Sequence, residues 1–293
     1  MIKILNRIIE KFFKFKNLNK QQNELKILTG LSLLEREKEI SNINDSELKI
    51  FSQFGEDGII DFLVKKINLQ TKTFIEFGVE DYEESNTKFL LEAKNWKGLV
   101  FDSSQKFIDI IKKKDFYWRN NLIAVKAFIT AENIDNLIKK NFFHEEVGLM
   151  SIDIDGNDYW VWKAIETYKP AIVIIEYNAR FGYRKSVSIP YKKNFDRIAE
   201  HHSSIYFGAS LMALYKLGKE KGYSLVGTNT NGNNSFFIRD DFLKKNENLK
   251  TFTPEQCFHT NSFNELRDKN GKILDRNGTK EQEILDKLPL EKV

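Results

Sequence analysis

The chain has 293 residues, 41% of them hydrophobic and 30% charged, which excludes a disordered chain and suffices for one large α/β domain with extensions or for two small domains. Its 46 basic and 42 acidic residues leave a net charge of +4, too balanced to argue for a nucleic-acid partner. Cys257 is the only cysteine, which rules out an intrachain disulfide and a cysteine-based zinc cluster and goes with a reducing, cytoplasmic setting.

Nowhere does an apolar run approach the roughly 20 residues that span a bilayer. Residues 1–20 read instead as a basic amphipathic helix. Ile4, Leu5, Ile8, Ile9 and Phe12 share one stripe, and Lys3, Arg7, Lys11 and Lys14 lie largely elsewhere. Charges at Lys3, Arg7, Glu10 and Lys11 also interrupt any signal-peptide core. Such a helix covers a core, joins a second copy, or lies on a membrane surface. Residues 1–45 are therefore expected to form an N-terminal helical extension.

From residue 73 onward, short apolar strands alternate with helical stretches. Strands are expected at 73–79, 98–102, 122–128, 147–155, 171–178, 223–228 and 235–240, with helices at 86–96, 106–114, 131–140, 159–168 and 209–222. Val/Ile-rich runs separated by helices indicate βαβ units and a buried, mostly parallel sheet. The Asn/Gly-rich run 229–234 reads as a turn, which makes the last two strands an antiparallel pair. The tail after about Asn246 offers only scattered turn signals, Asn270-Gly271 and Asn277-Gly278 among them.

In a doubly wound sheet, ligands bind outside the carboxyl ends of the strands, so the residues that end each strand carry the chemistry. The first strand ends in Glu76-Phe77-Gly78, where a glycine permits close backbone approach. The second ends in Asp102, suited to the ribose hydroxyls of an adenosine. By these features alone, NAD and S-adenosylmethionine both fit. The fourth strand runs into Asp153-Ile154-Asp155-Gly156, two carboxylates on one face, and the fifth ends Glu176-Tyr177-Asn178. Gathering Asp153, Asp155, Glu176 and Asn178 at one sheet edge calls for a shared proton or a positive partner. A hard cation such as Mg²⁺, held by Asp155, Glu176 and Asn178, is one solution. Hydrogen bonding to a cosubstrate amino group and to substrate hydroxyls is another. Asp158 has a third role open to it, capping the following helix.

These residues resemble the FkbM-type methyltransferases. Phe51-Ser-Gln-Phe-Gly-Glu-Asp-Gly-Ile59 is similar to that family's N-terminal signature, a Ser-Gln-x-Gly-Glu-Asp run ahead of the first strand. Glu76-x-Gly78, Ser85-Asn86-Thr87, Trp96-Lys97-Gly98 and Asp102 are similar to its first βαβ unit, and Met150–Asn157 and Val173–Glu176 continue the likeness. The resemblance spans roughly residues 50 to 242. It implies a Rossmann-like, seven-stranded methyltransferase sheet, mostly parallel with the last strand antiparallel and helices on both faces, here over residues 46–245, with 246–293 as a C-terminal extension. It further implies S-adenosylmethionine as cosubstrate and a hydroxyl of a sugar or similar small molecule as acceptor. Gln53, Glu56 and Asp57 would close over the cosubstrate, Glu76 and Gly78 would line its methionyl portion, Asn86 and Asp153 would add to that site, and Asp102 would hold the ribose. Two departures stand out. The family commonly has Asp where this chain has Glu76, and often Glu where it has Asp155. Across families, the acid cluster is also similar to the Mg²⁺ site of catechol-type O-methyltransferases.

Among the remaining candidates, His202, beside His201, is a possible base toward a hydroxyl. Arg180, Tyr183 and Arg184 are placed to grip a substrate, whereas Trp160 and Trp162 read as sheet packing and His144 as structural. The rival readings are an NAD(P)-dependent oxidoreductase, against which stands the missing GxGxxG, and a non-catalytic module that keeps the fold.

Overall fold

The computed structural model describes residues 2–36, 40, 42–142, 144, 146–246, 248–263, 265–274 and 278–293. Two compact units result, Met1–Glu39 and Ile40–Val293. The first is a single helix, Ile2–Leu34, longer than the amphipathic stretch expected. Its stripe from Ile4 to Phe12 lies outside the residues whose side chains are described, and Asn277 lies outside the described residues altogether.

The second unit is organised by seven strands: β1 (Thr73–Phe77), β2 (Lys97–Asp102), β3 (Leu122–Lys126), β4 (Leu149–Ile152), β5 (Ile172–Glu176), β7 (Tyr223–Thr228) and β8 (Asn234–Arg239), with a short β6 (Val187–Ser188) between β5 and β7. Their order across the sheet is β3-β2-β1-β4-β5-β8-β7. Every neighbouring pair from β3 to β5 is parallel, and β8 runs antiparallel to both β5 and β7. This is the mostly parallel seven-stranded sheet with its last strand reversed that the sequence implies. The order turns at β1, between β2 and β4, so the crevice for a ligand falls at the carboxyl ends of those strands.

Period-two alternation sorts the strand residues onto two buried faces. Ile75, Phe77, Leu99, Phe101, Val173 and Ile175 pack with the helices Ile134–Asn141, Asp158–Ala164 and Leu211–Lys221. Phe74, Val100, Ile172 and Ile174 pack with the helices Glu56–Lys66, Lys88–Lys94 and Gln105–Lys113. Helices therefore cover both faces, and each fully buried aliphatic or aromatic side chain contributes about 1.5–3 kcal/mol. Trp162, 1% exposed, wedges between Tyr223 and Phe237 at 6.0 and 5.0 Å, the packing role expected of it.

A third apolar cluster lies off the sheet. Phe181, Ile189, Phe195, Ile205 and Phe207, from the segment after β5, bury Leu266 and Leu285 from the C-terminal tail. A two-residue strand β9 (Glu291–Lys292) pairs with β6 beside it. The tail is thus packed into the second unit.

Candidate active site

A cavity of about 780 Å³ opens at the carboxyl ends of β1, β2, β4 and β5, within the range of about 300–1,000 Å³ usual for ligand sites. Gln53, Glu76, Gly78, Asn86, Asp102, Asp153, Asp155 and Glu176 all line it. Glu56, Asp57, Asn178 and His202 do not.

At the end of β1, Glu76 pins the following loop. Its Oε1 accepts from the Asn86 N–H at 2.9 Å, and its Oε2 accepts from Ser85 Oγ at 2.6 Å, Thr87 N–H at 3.2 Å and the Thr87 hydroxyl. Burial raises the Glu76 pKa, and these donors pull it back. Asn86 in turn donates to Ser151 Oγ on β4 at 3.0 Å. Gly78 has φ +72°, and a Cβ there would stand 1.7 Å from the Asp153 carbonyl oxygen. Only glycine satisfies both the left-handed backbone and that approach. At the end of β2, Asp102 accepts from the Glu80 and Ser104 N–H groups at 2.9 and 2.7 Å, and burial raises its pKa.

Glu56 and Asp57 act one layer back, contrary to expectation. Asp57 Oδ2 accepts from the N–H groups of Ile50, Phe51 and Ser52 at 2.7–2.8 Å, and burial pushes its pKa up to about 6. Glu56 accepts from Phe54 and Gly55 N–H at 3.0 and 2.9 Å and from Asn229 and Asn234 side chains at 2.7 and 3.0 Å. Both therefore fix the loop that presents Gln53 and Phe54 to the cavity. A buried carboxylate beside several free N–H groups is consumed by them, whatever motif it belongs to.

The acids past β4 and β5 form a cluster of a different composition from the one expected. Carboxylate oxygens of Asp153, Asp155 and Glu176 all lie within 4.8 Å of one another. Burial first, then mutual repulsion, holds the pKa values of Asp153 and Glu176 well above the carboxylate range, so the pair tends to keep a proton. Glu176 is 7% exposed, and its buried Oε2 has no hydrogen-bond partner. Asp155, at φ +56° and exposed, pairs with Arg197. Asn178 is missing from the group. β5 stops at Glu176, and Asn178 instead caps a short turn, accepting from Arg180 N–H at 3.1 Å and donating to the carbonyls of Ile205 and Phe207 at 2.9 and 3.0 Å. Two-residue periodicity ends where the strand ends. Asp158 does not cap its helix either; it accepts from Ile154 and Gly156 N–H at 2.8 and 2.9 Å and holds the turn that carries Asp155.

The other candidates also move. His202 rests against His201, ring centroids 4.3 Å apart, away from the cavity lining. The Arg180 side chain is 3% exposed and ion-paired with Glu265 and Glu281 at 3.2 and 3.3 Å. Tyr183 packs on Phe258, and Arg184 lies over Tyr183. Sequence reasoning missed Arg197, Phe263 and Glu265, all of which line the cavity. Nothing local marks them; only closure of the tail over the segment after β5 brings them there. Among the described residues the lining holds eight carboxylates and one cation, Arg197.

No family model matches this chain, and no curated protein matches it. Solved structures similar to it include the O-methyltransferase from Bacillus cereus in complex with SAH, at 14% identity over 74% of this chain and 89% of that one, TM-score 0.42. An S-adenosylmethionine-dependent methyltransferase from Clostridium acetobutylicum shares 12% identity over 63% and 90%, TM-score 0.41. The methyltransferase domain of bacterial CtHen1 shares 14% over 62% and 96%, TM-score 0.39. These are distant likenesses.

Proposed function

We propose that the protein is an S-adenosylmethionine-dependent O-methyltransferase acting on a hydroxyl of a sugar or similar small molecule. The observation that carries this reading is the acidity of the cavity: eight acidic side chains, two of them sharing a proton, against Arg197 as the one basic side chain of the described lining. S-adenosylmethionine is a net cation, its sulfonium and ammonium outweighing one carboxylate, and such walls attract it, whereas the pyrophosphate of a dinucleotide is repelled. Asp102 holds the ribose hydroxyls, Phe107 and Phe128 offer apolar surface to the base, and the methionyl end lies along Gly78 toward Asp153.

The acceptor hydroxyl then meets the acid cluster. Transfer is in line: the carbon–sulfur bond breaks as the carbon–oxygen bond forms, and alignment supplies much of the rate. The hydroxyl proton passes to a carboxylate of the cluster, a role we assign to Glu176, which lines the cavity at the end of β5. A hard divalent cation such as Mg²⁺ fits the oxygen donors of Asp153, Asp155 and Glu176, with Asp153 in the place expected of Asn178. When bound, it would polarise the acceptor oxygen and lower its pKa. The single cysteine, Cys257, is buried and unpaired, in keeping with a reducing, cytoplasmic setting.

Calorimetric titration tests the reading. S-adenosylmethionine and S-adenosylhomocysteine are expected to bind and NAD⁺ is not; tight NAD⁺ binding without a response to S-adenosylmethionine would overturn it. Methyl transfer measured with EDTA, then with Mg²⁺ restored, decides whether the cluster works with a cation or with a shared proton.

A further inference from the structure

The identity of the acceptor can be narrowed if the cavity is the methyltransferase site described above, on which this inference rests. Three observations meet on one wall. Phe263 and Glu265, from the tail beyond the sheet, line the cavity. The Phe263 ring stacks on Phe54 at 5.5 Å and 15°, and Phe54 belongs to the loop that Glu56 and Asp57 hold in place. Arg197, the sole cation of the described lining, is already committed: it pairs with Asp155, reaches Glu265 at 2.6 Å, donates Nε to the Ser204 carbonyl at 2.7 Å and lies 3.7 Å over the Phe207 ring.

We propose that this wall recognises the acceptor, and that the acceptor is a glycosyl unit bearing neither phosphate nor carboxylate. A pyranose has apolar C–H faces that pack on an aromatic ring and hydroxyls that donate to carboxylates; Phe263 supplies the first partner, Glu265 and Asp155 the second. An anionic acceptor has nothing to pair with. It would enter among seven further acidic side chains besides its nearest one, and the one guanidinium of the described lining is held by two of them. An amino sugar meets no such obstacle. Glu265 thereby has two tasks, accepting from a hydroxyl and keeping Arg197 away from anions.

Saturation-transfer NMR on the full chain with saturating S-adenosylhomocysteine tests this, using methyl glucoside, methyl glucosaminide and glucose phosphate, with their manno and galacto counterparts, as probes. The neutral and amino members are expected to give signals roughly tenfold stronger than the phosphates. Phe263→Ala should weaken the sugar signals about fivefold while leaving S-adenosylhomocysteine affinity within about twofold. Glu265→Gln, which keeps the shape but removes the carboxylate that pairs with Arg197 and Arg180 and leaves Arg197 with Asp155 alone, should raise the phosphate signal relative to the sugar, an effect that simple loosening of the wall would not give. Stronger binding of the phosphates, silence from every neutral and amino sugar, or an unchanged Phe263→Ala profile overturns the proposal. Failure of S-adenosylhomocysteine itself to bind overturns the reading of the cavity, and this inference with it; binding of S-adenosylhomocysteine with the wrong acceptor profile overturns this inference alone.

Discussion

The carboxyl ends of β1 and β2 are assembled from residues near one another in the chain, whereas the wall beside Arg197 joins residues far apart. Thr87 reaches Glu76 across 11 positions and Glu80 reaches Asp102 across 22, while Arg180 and Glu281 are 101 apart. The first region is a strand, a turn and a helix start, and its glycine and acids stand close together in the chain. The second exists only once the tail has folded onto the segment after β5. On the proposed reading, the cosubstrate needs little beyond the first arrangement, and the acceptor is chosen by the second, which no short motif describes.

That contrast can be broken most sharply at the acid cluster, where the two regions meet. Glu176→Gln is expected to lower kcat by on the order of 10²–10³ while S-adenosylhomocysteine affinity changes little, as for loss of a proton acceptor. Because burial and neighbouring acids raise the Glu176 and Asp153 pKa values, activity should fall with decreasing pH well above the usual carboxylate range. The sign follows from the role: the base must be ionised, and a raised pKa keeps it protonated to higher pH. An acid limb unmoved by Glu176→Gln would assign the proton to another group.

Next in size is Asp102→Ala. Loss of the ribose contact should weaken S-adenosylmethionine binding by about 1–3 kcal/mol, measured by titration. An acceptor-side effect from this change, with cosubstrate binding intact, would dissolve the division between the two regions. Smaller still is His202→Ala, expected to stay within about twofold of the parent rate because its ring lies off the cavity lining. Removing residues 1–39 should have the least effect on cosubstrate affinity, again within about twofold, while altering solution mass or liposome binding if that helix self-associates or lies on a membrane.

Much of the sheet was legible because buried parallel strands leave continuous Val/Ile runs, as at Ile172–Ile175, although the expected 147–155 overran the observed Leu149–Ile152. Gly78 and Asp102 were legible for a related reason: both directly follow a strand or end it. Legibility failed where side chains were taken up by backbone groups of the surrounding turns. Asn178 was projected along a strand that had already stopped, and its amide was taken by the carbonyls of Ile205 and Phe207. Glu56 and Asp57 belong to a conspicuous motif, yet the motif serves the backbone of residues 50–55. Arg197 and Glu265 carried no signal, since an arginine four residues before His201 and a glutamate in the tail look like ordinary surface until they meet.

The off-sheet cluster around Leu266 and Leu285 bears on how the molecule opens. It shares neither of the two cores that flank the sheet. Local opening of a cooperative unit costs only the contacts that unit makes, so a peripheral cluster opens more often than a central one. Detachment of the stretch from Phe263 to Leu290 would strip Phe263 and Glu265 from the cavity and free Arg197 from Glu265, while Gly78, Asp102 and their hydrogen bonds stayed in place. Such a species would hold its cosubstrate but have no acceptor wall. Amide exchange in the tail, faster than in β1 and β4 and slowed by acceptor but not by S-adenosylhomocysteine, would be its signature.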